Sequence, residues 1–395
     1  MKNRWLILIA CVIINLCLGA GYAWSVFQTP LMELFSWTTS QASLAFSISF
    51  AMVPVGMIIF GPLQDKYGPK WITFLGGLLF GTGMILTSFI STLFMLYVTY
   101  GLILGFGIGA AYGCTTATTV KWFPDKKGLA GGLTAAGFGS GALVFAPLAR
   151  TLITNVGVQM TFRYLGIGLL IAICIASLIL SAPKKSTDVN IAKTNLDKTP
   201  KEIMATSTFW FLWIVYIFGC IAGLMMIGHA SMIAQEHLGY TVSAATFIVM
   251  IVSLSNTFGR IIWGGVSDRI GRYSTVILMF ISSAIGLLLL FLNINPMLGV
   301  TGIVLIALSF GGFLGIYPGI TADNWGSLFN GSNYGVMFTA YGVASIAGPM
   351  MAASLKESSG GSYTMPFMIS MALNIIGFLL IFFMKSKSRK ENPSY

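Results

Sequence analysis

The chain has 395 residues, 56% of them hydrophobic and 8% charged, with a mean hydropathy of +0.85. Soluble domains carry about one quarter charged residues, so this composition excludes a soluble globular protein and places the chain in a lipid bilayer. The net charge is +11, and the five cysteines (Cys11, Cys17, Cys114, Cys174 and Cys220) all fall inside apolar runs, which reads as small buried hydrophobes and not as a disulfide framework.

A membrane-spanning helix needs roughly 20 apolar residues. Runs of that kind predict an all-α membrane protein with twelve crossings, at 5–29, 40–64, 70–90, 93–120, 128–150, 162–182, 207–234, 241–267, 274–293, 298–322, 333–355 and 364–384. The first run, from Trp5 to Phe27, is too long for a signal-peptide core and lacks a cleavage site, so it counts as a crossing. Eighteen of the 22 lysines and arginines then fall on the side of the N-terminus. By the positive-inside rule both termini are cytoplasmic, as expected in the inner (plasma) membrane of a cell. This asymmetry accounts for the positive charge, so no nucleic-acid partner is implied, and the basic tail "KSKSRK" reads as a membrane-side anchor.

Between the sixth and seventh runs lies the polar, lysine-rich "APKKSTDVNIAKTNLDKTPKEIMATS". The organisation expected is an N-terminal six-helix half (1–182), a cytoplasmic linker (183–206), a C-terminal six-helix half (207–384) and a basic tail (385–395). The halves echo each other. "GPLQDKYGPK" after the second run and "GGVSDRIGRY" after the eighth share Gly61, Asp65, Lys66 and Gly68 with Gly264, Asp268, Arg269 and Gly271, all offset by 203 residues. "TAAG" (Thr134 to Gly137) likewise matches "TAYG" (Thr339 to Gly342). The fourth run carries a glycine at every fourth position, Gly101, Gly105, Gly109 and Gly113, and the fifth carries Gly128, Gly132, Gly137 and Gly141; such faces let helices pack closely in lipid.

The repeated loop resembles the signature of the major facilitator superfamily. "GYAWSVF", "KWFPDKKGLAGGL", "GLMMIGHASMIAQE" and "TAYGVASIAGP" are similar to the oxalate:formate antiporter family within it. The resemblance implies two six-helix halves, alternating access, and a cytoplasmic gate built on Asp65, Lys66, Asp268 and Arg269. The loop glycines are expected to bring adjacent helices together.

Every aspartate and glutamate lies at or near a membrane edge, so Arg260 is the formal charge expected to lie deep in a span. Such a placement costs about 2.5–3.5 kcal/mol on insertion scales. Snorkelling does not fit: Arg260 is eight residues before Asp268, roughly 12 Å along the axis, and its side chain leans toward the bilayer centre. Ser253, Asn256, Arg260, Trp263 and Ser267 recur at intervals of three and four, forming a polar and aromatic stripe that should line a cavity. A buried guanidinium is suited to an anion. In the resembled family the arginine at this place binds the substrate carboxylate, and Arg260 matches it. A lysine of the eleventh helix in oxalate-transporting members corresponds to Tyr341, so one cation remains, which favours a small monocarboxylate such as lactate, pyruvate or formate over oxalate. Tyr22, Tyr112, Phe313 and Tyr317 correspond to aromatic positions around the substrate, although each reads equally well as packing.

Two readings of coupling stay open, anion exchange and proton symport. His229, the histidine that lies inside a run, is the candidate proton carrier; a hydrogen-bonded structural histidine is the other reading. Asn256 stands where related proton-coupled monocarboxylate carriers have a carboxylate. No nucleophile, acid–base pair or metal cluster points to an enzyme, and no phosphate-binding loop or cofactor motif occurs, so no cofactor or metal is expected. The partners expected are a small carboxylate, protons or a counter-transported anion, and the lipid bilayer. A carboxylate sensor with a transporter fold and a multidrug exporter are the alternatives.

Overall fold

The computed structural model describes residues 3–123, 127–183, 197–326 and 328–391, apart from the side chains of Asp65, 127–129 and 387–391. Most of the linker, the distal tail and the carboxylate of the expected gate residue Asp65 lie outside the described residues. Within them the protein is helical throughout. Eleven helices are long and apolar enough to cross a membrane: α1 (Arg4–Phe35), α2 (Thr39–Gln64), α3 (Pro69–Thr87), α4 (Leu93–Trp122), α5 (Ala130–Ile179), α6 (Ser207–His237), α7 (Val242–Ile270), α8 (Arg272–Leu292), α9 (Pro296–Trp325), α10 (Asn330–Ser358) and α11 (Thr364–Ser386). Helix α5 spans 50 residues but breaks at Gly157, whose φ of 81° and ψ of 166° are not helical. Its two arms are the fifth and sixth predicted crossings, so twelve crossings result.

Polar residues at the starts of these helices satisfy backbone N–H groups that have no partner inside the helix. Thr38 and Gln41 form a reciprocal capping box at α2, with Thr38 Oγ1 accepting from Gln41 N at 3.3 Å and Gln41 Oε1 accepting from Thr38 N at 2.9 Å. Thr206, Thr241 and Asn295 cap α6, α7 and α9 one-sidedly, each side-chain oxygen accepting from a backbone N–H three residues on. The repeated loop has a backbone reason: its last glycines, Gly68 and Gly271, adopt φ values of 82° and 87°, a left-handed turn that a side chain disfavours, and α3 and α8 begin at the next residue. The first glycines of the motif behave differently. A Cβ at Gly61 or Gly264 would meet open space, so the expected close approach of helices does not occur there.

The chain divides into two compact units, Met1–Thr194 and Asn195–Tyr395. Both use the same pairings. In the first unit α1 packs on the first arm of α5, α2 on α4, and α3 on the second arm of α5; in the second unit α6 packs on α10, α7 on α9, and α8 on α11. The glycine stripe of α4 lies along α2, with Gly101 against Ile48, Gly105 against Ser49, Gly109 against Gly56 and Gly113 against Met57. Outward faces carry exposed Phe247, Ile285, Leu288, Ile375, Phe382 and Phe383, as expected where lipid is the solvent.

Candidate functional site

In the second unit the polar stripe of α7 is turned inward. Asn256 and Arg260 are buried, the latter 5% exposed, and Arg260 Nε donates to Asn256 Oδ1 at 3.2 Å. Because Oδ1 accepts from the guanidinium, the amide is oriented, and its Nδ2 is buried with no hydrogen-bond partner among the described residues. An unmet donor of this kind carries a desolvation penalty of about 1–3 kcal/mol that an incoming acceptor would relieve. Helix α9 holds this face in place. A Cβ on Gly311 would overlap the carbonyl oxygen of Asn256, and one on Gly315 would lie 3.1 Å from Arg260 Cα. Only glycines let the two backbones meet there.

Tyr341, near the start of the regular part of α10, is 2% exposed and stacks on Phe338 with ring centroids 4.6 Å apart and planes 7° apart. Its ring is therefore held by packing while its hydroxyl remains the polar end. Phe313 and Tyr317 fall elsewhere. The Phe313 ring fills the space over Gly219 of α6 and meets Phe280 edge-on at 5.0 Å. Tyr317 stacks on Tyr216 at 3.7 Å, and its hydroxyl donates to the Leu212 carbonyl at 3.0 Å. Both side chains pack at the α6–α9 interface.

In the first unit Tyr22 sits in a 3-10 turn, Gly19–Ala23, that interrupts α1. Its ring stacks on Phe50 at 5.2 Å and meets Phe138 edge-on at 4.9 Å, while Tyr112 meets the same Phe138 at 5.2 Å. The two expected tyrosines are thus joined by a phenylalanine of α5 that sequence reasoning did not single out. Nothing in the periodicity of α5 distinguishes Phe138 from a packing residue.

At the C-terminal end of α7 an ionic cluster joins three helices. Arg272 bonds Asp268 through Nη1 at 2.9 Å and Asp323 of α9 through Nε at 3.0 Å, and Nη1 also donates to Ser267 Oγ at 2.8 Å. Asp268 is therefore held by Arg272, while Arg269 is exposed. Lys66 is exposed, with Nζ 5.1 Å from the Tyr67 ring centroid. His229 lies on α6, fully buried, toward the opposite end of the second unit.

Two similarly paired six-helix units carry a buried guanidinium and amide on one inward helix face, and the family and relatives that the chain matches make it a membrane transporter and not an enzyme. A sequence model of the Major Facilitator Superfamily matches residues 9–349 and again 230–394, and the chain belongs to that family. It is 30% identical over 389 residues to the oxalate:formate antiporter of Oxalobacter formigenes, covering 97% of this chain and 92% of that protein. It is 32% identical over 347 residues to the uncharacterized MFS-type transporter YhjX of Escherichia coli (strain K12), covering 87% and 86%. Monocarboxylate transporter 12 of Homo sapiens is 25% identical over 419 residues, covering 96% and 78%. Among solved structures, a D-xylose-proton symporter superposes with a TM-score of 0.74 over 95% of this chain and 97% of that one; at 16% identity the likeness is one of fold.

Proposed function

We propose that the protein is a secondary active carrier that moves a small monocarboxylate, of the size of lactate, pyruvate or formate, across the inner (plasma) membrane by alternating access, with both termini cytoplasmic. The observation that carries this reading is the Asn256–Arg260 pair: a buried guanidinium oriented by one end of an amide whose other end is a buried donor without a partner among the described residues. Guanidinium and amide N–H groups on one helix face match the two oxygens of a carboxylate. The names of two relatives, an oxalate:formate antiporter and a monocarboxylate transporter, point to the same ligand chemistry. Within the second unit, Tyr341 is assigned to the wall of the site. Asp268, with Arg272 and Asp323, is assigned to a cytoplasmic latch, and Lys66 with Asp65 to its counterpart in the first unit.

Exchange of oxalate for formate is the second reading, favoured by the 30% identity to the antiporter and opposed by the neutral residue at Tyr341. The test is substrate-induced thermal stabilisation of the purified protein across a panel of small acids, followed by flux in liposomes with and without internal anion. Stabilisation by monocarboxylates with flux supports the carrier. Binding without flux supports a sensor, and no binding by any carboxylate overturns both readings.

A further inference from the structure

At the end of the second unit away from the Asp268–Arg272–Asp323 cluster, four ionisable side chains distant in sequence form one connected group. His229 of α6 is fully buried, with Nε2 at 3.1 Å from the Pro349 carbonyl of α10 and Nδ1 at 3.1 Å from the hydroxyl of Tyr363, the residue before α11. Lys356 of α10 lies with Nζ 5.3 Å from the Tyr363 ring centroid and 2.5 Å from Glu236 Oε2, in the π-helical last turn of α6. Lys356 is itself buried, while Glu236 is 42% exposed.

The hydrogen bonds fix the tautomer. A carbonyl only accepts, so Nε2 carries the proton, and in a neutral imidazole Nδ1 then accepts. Tyr363 is the donor to it. Burial, then the Glu236 carboxylate, pushes that phenol well above its usual range, so it keeps its proton. A second proton on the ring would make Nδ1 a donor and reverse the bond, the Tyr363 hydroxyl becoming the acceptor, and would add a cation beside the Lys356 ammonium.

The location gives the group a mechanical role. Pro349 has no N–H, so α10 lacks the bond from that position to the Ser345 carbonyl and is weakened there. On the near side of the proline the helix is fixed by close approach, since a Cβ on Gly348 would lie 2.6 Å from the Ile221 carbonyl of α6. Beyond the proline, the His229 bond and the Lys356–Glu236 pair take over that task.

We propose that His229 is a neutral clamp that, with Tyr363, Lys356 and Glu236, holds the part of α10 beyond Pro349 to α6 as one body, and that it carries no transported proton. The inference is independent of which acid is moved. Glutamine reproduces both roles of the ring, a donor to Pro349 and an acceptor for Tyr363, whereas leucine reproduces neither.

The experiment compares His229→Gln, His229→Leu, Tyr363→Phe and the His229→Leu/Tyr363→Phe double variant in the full chain. Amide hydrogen exchange over 350–358 and the melting temperature are read in detergent, and the pH profile of carboxylate uptake is read in liposomes. The clamp predicts faster exchange and a lower melting temperature for His229→Leu and Tyr363→Phe, a double variant no worse than the worse single, and a wild-type pH profile and amide protection for His229→Gln. Loss of pH-gradient-driven uptake in His229→Gln with anion exchange retained overturns it in favour of a proton carrier. Unchanged amide exchange in His229→Leu, or additive losses in the double variant, overturns it as a clamp. If no carboxylate is taken up at all, the proposed function fails, while the detergent measurements still decide the clamp.

Discussion

Asn256 and Arg260 stand one turn apart on α7, and the carboxamide oxygen of the first accepts from Nε of the second at 3.2 Å. That bond aims the guanidinium and leaves the amide N–H group as a second donor on the same face. Replacing Asn256 with Asp sets a carboxylate in the place of the amide oxygen and supplies Arg260 with a permanent anion. Carboxylate affinity should fall by at least about tenfold, or about 1.4 kcal/mol, at neutral pH. The fall is measured by ligand-induced thermal stabilisation, with the unliganded protein no less stable than wild type. Undiminished affinity contradicts the placement of the anion at this pair.

Tyr317→Phe tests whether Tyr317 serves packing or the substrate. The substitution removes the hydroxyl that bonds the Leu212 carbonyl at 3.0 Å, and stability should drop by about 1 kcal/mol. Affinity for carboxylates should not change. A large loss of affinity with no loss of stability returns Tyr317 to the substrate site.

The crossing of α7 and α9 is tested by Gly311→Ala. Its Cβ would overlap the Asn256 carbonyl, so the helices must part, at a stability loss of about 1–3 kcal/mol together with weaker substrate binding. Gly264→Ala is the control, since its Cβ meets open space, and should lie within about 0.5 kcal/mol of wild type. Equal effects of the two in a denaturation series refute the close-contact account.

Much of this architecture is legible in the sequence because lipid imposes a simple rule: each crossing is an apolar run, and the twelve runs appear as eleven helices with a break at Gly157. Arg260 is legible for the same reason, since a charge at depth is conspicuous and the spacing from Ser253 to Ser267 gives it a face. Side-chain direction among the aromatics is not legible. Phe313 and Tyr317 have the spacing of cavity residues, but their orientation is decided by the empty space over Gly219 and the carbonyl of Leu212, about 100 residues earlier in the chain. The Glu236–Lys356 pair is hidden likewise, because two charges at helix ends 120 residues apart carry no local pattern until α6 and α10 are side by side. Arg272 lies within the repeated loop, yet its role as the partner of Asp268 depends on the left-handed turn at Gly271.

Tyr341→Lys tests charge counting as the basis of selectivity. A second cation in this unit should raise the ratio of oxalate to lactate affinity by about 1–3 kcal/mol, the range of a charge-assisted hydrogen bond, even where total activity falls. Both affinities are measured on one folded preparation. A flat ratio assigns selectivity to pocket size instead.

Arg260→Lys addresses the central claim most directly. Lysine keeps the charge but replaces the planar fork with a point ammonium on a shorter reach, so it can neither bond Asn256 Oδ1 through Nε nor grip two carboxylate oxygens at once. Thermal stabilisation of the folded variant by lactate, pyruvate and formate, titrated beside wild type, is the measurement. The predicted result is loss of most of the stabilisation for every acid while the unliganded melting temperature stays near that of wild type. Wild-type stabilisation by any of these acids in the Arg260→Lys protein contradicts the assignment of Arg260 as the carboxylate-binding residue.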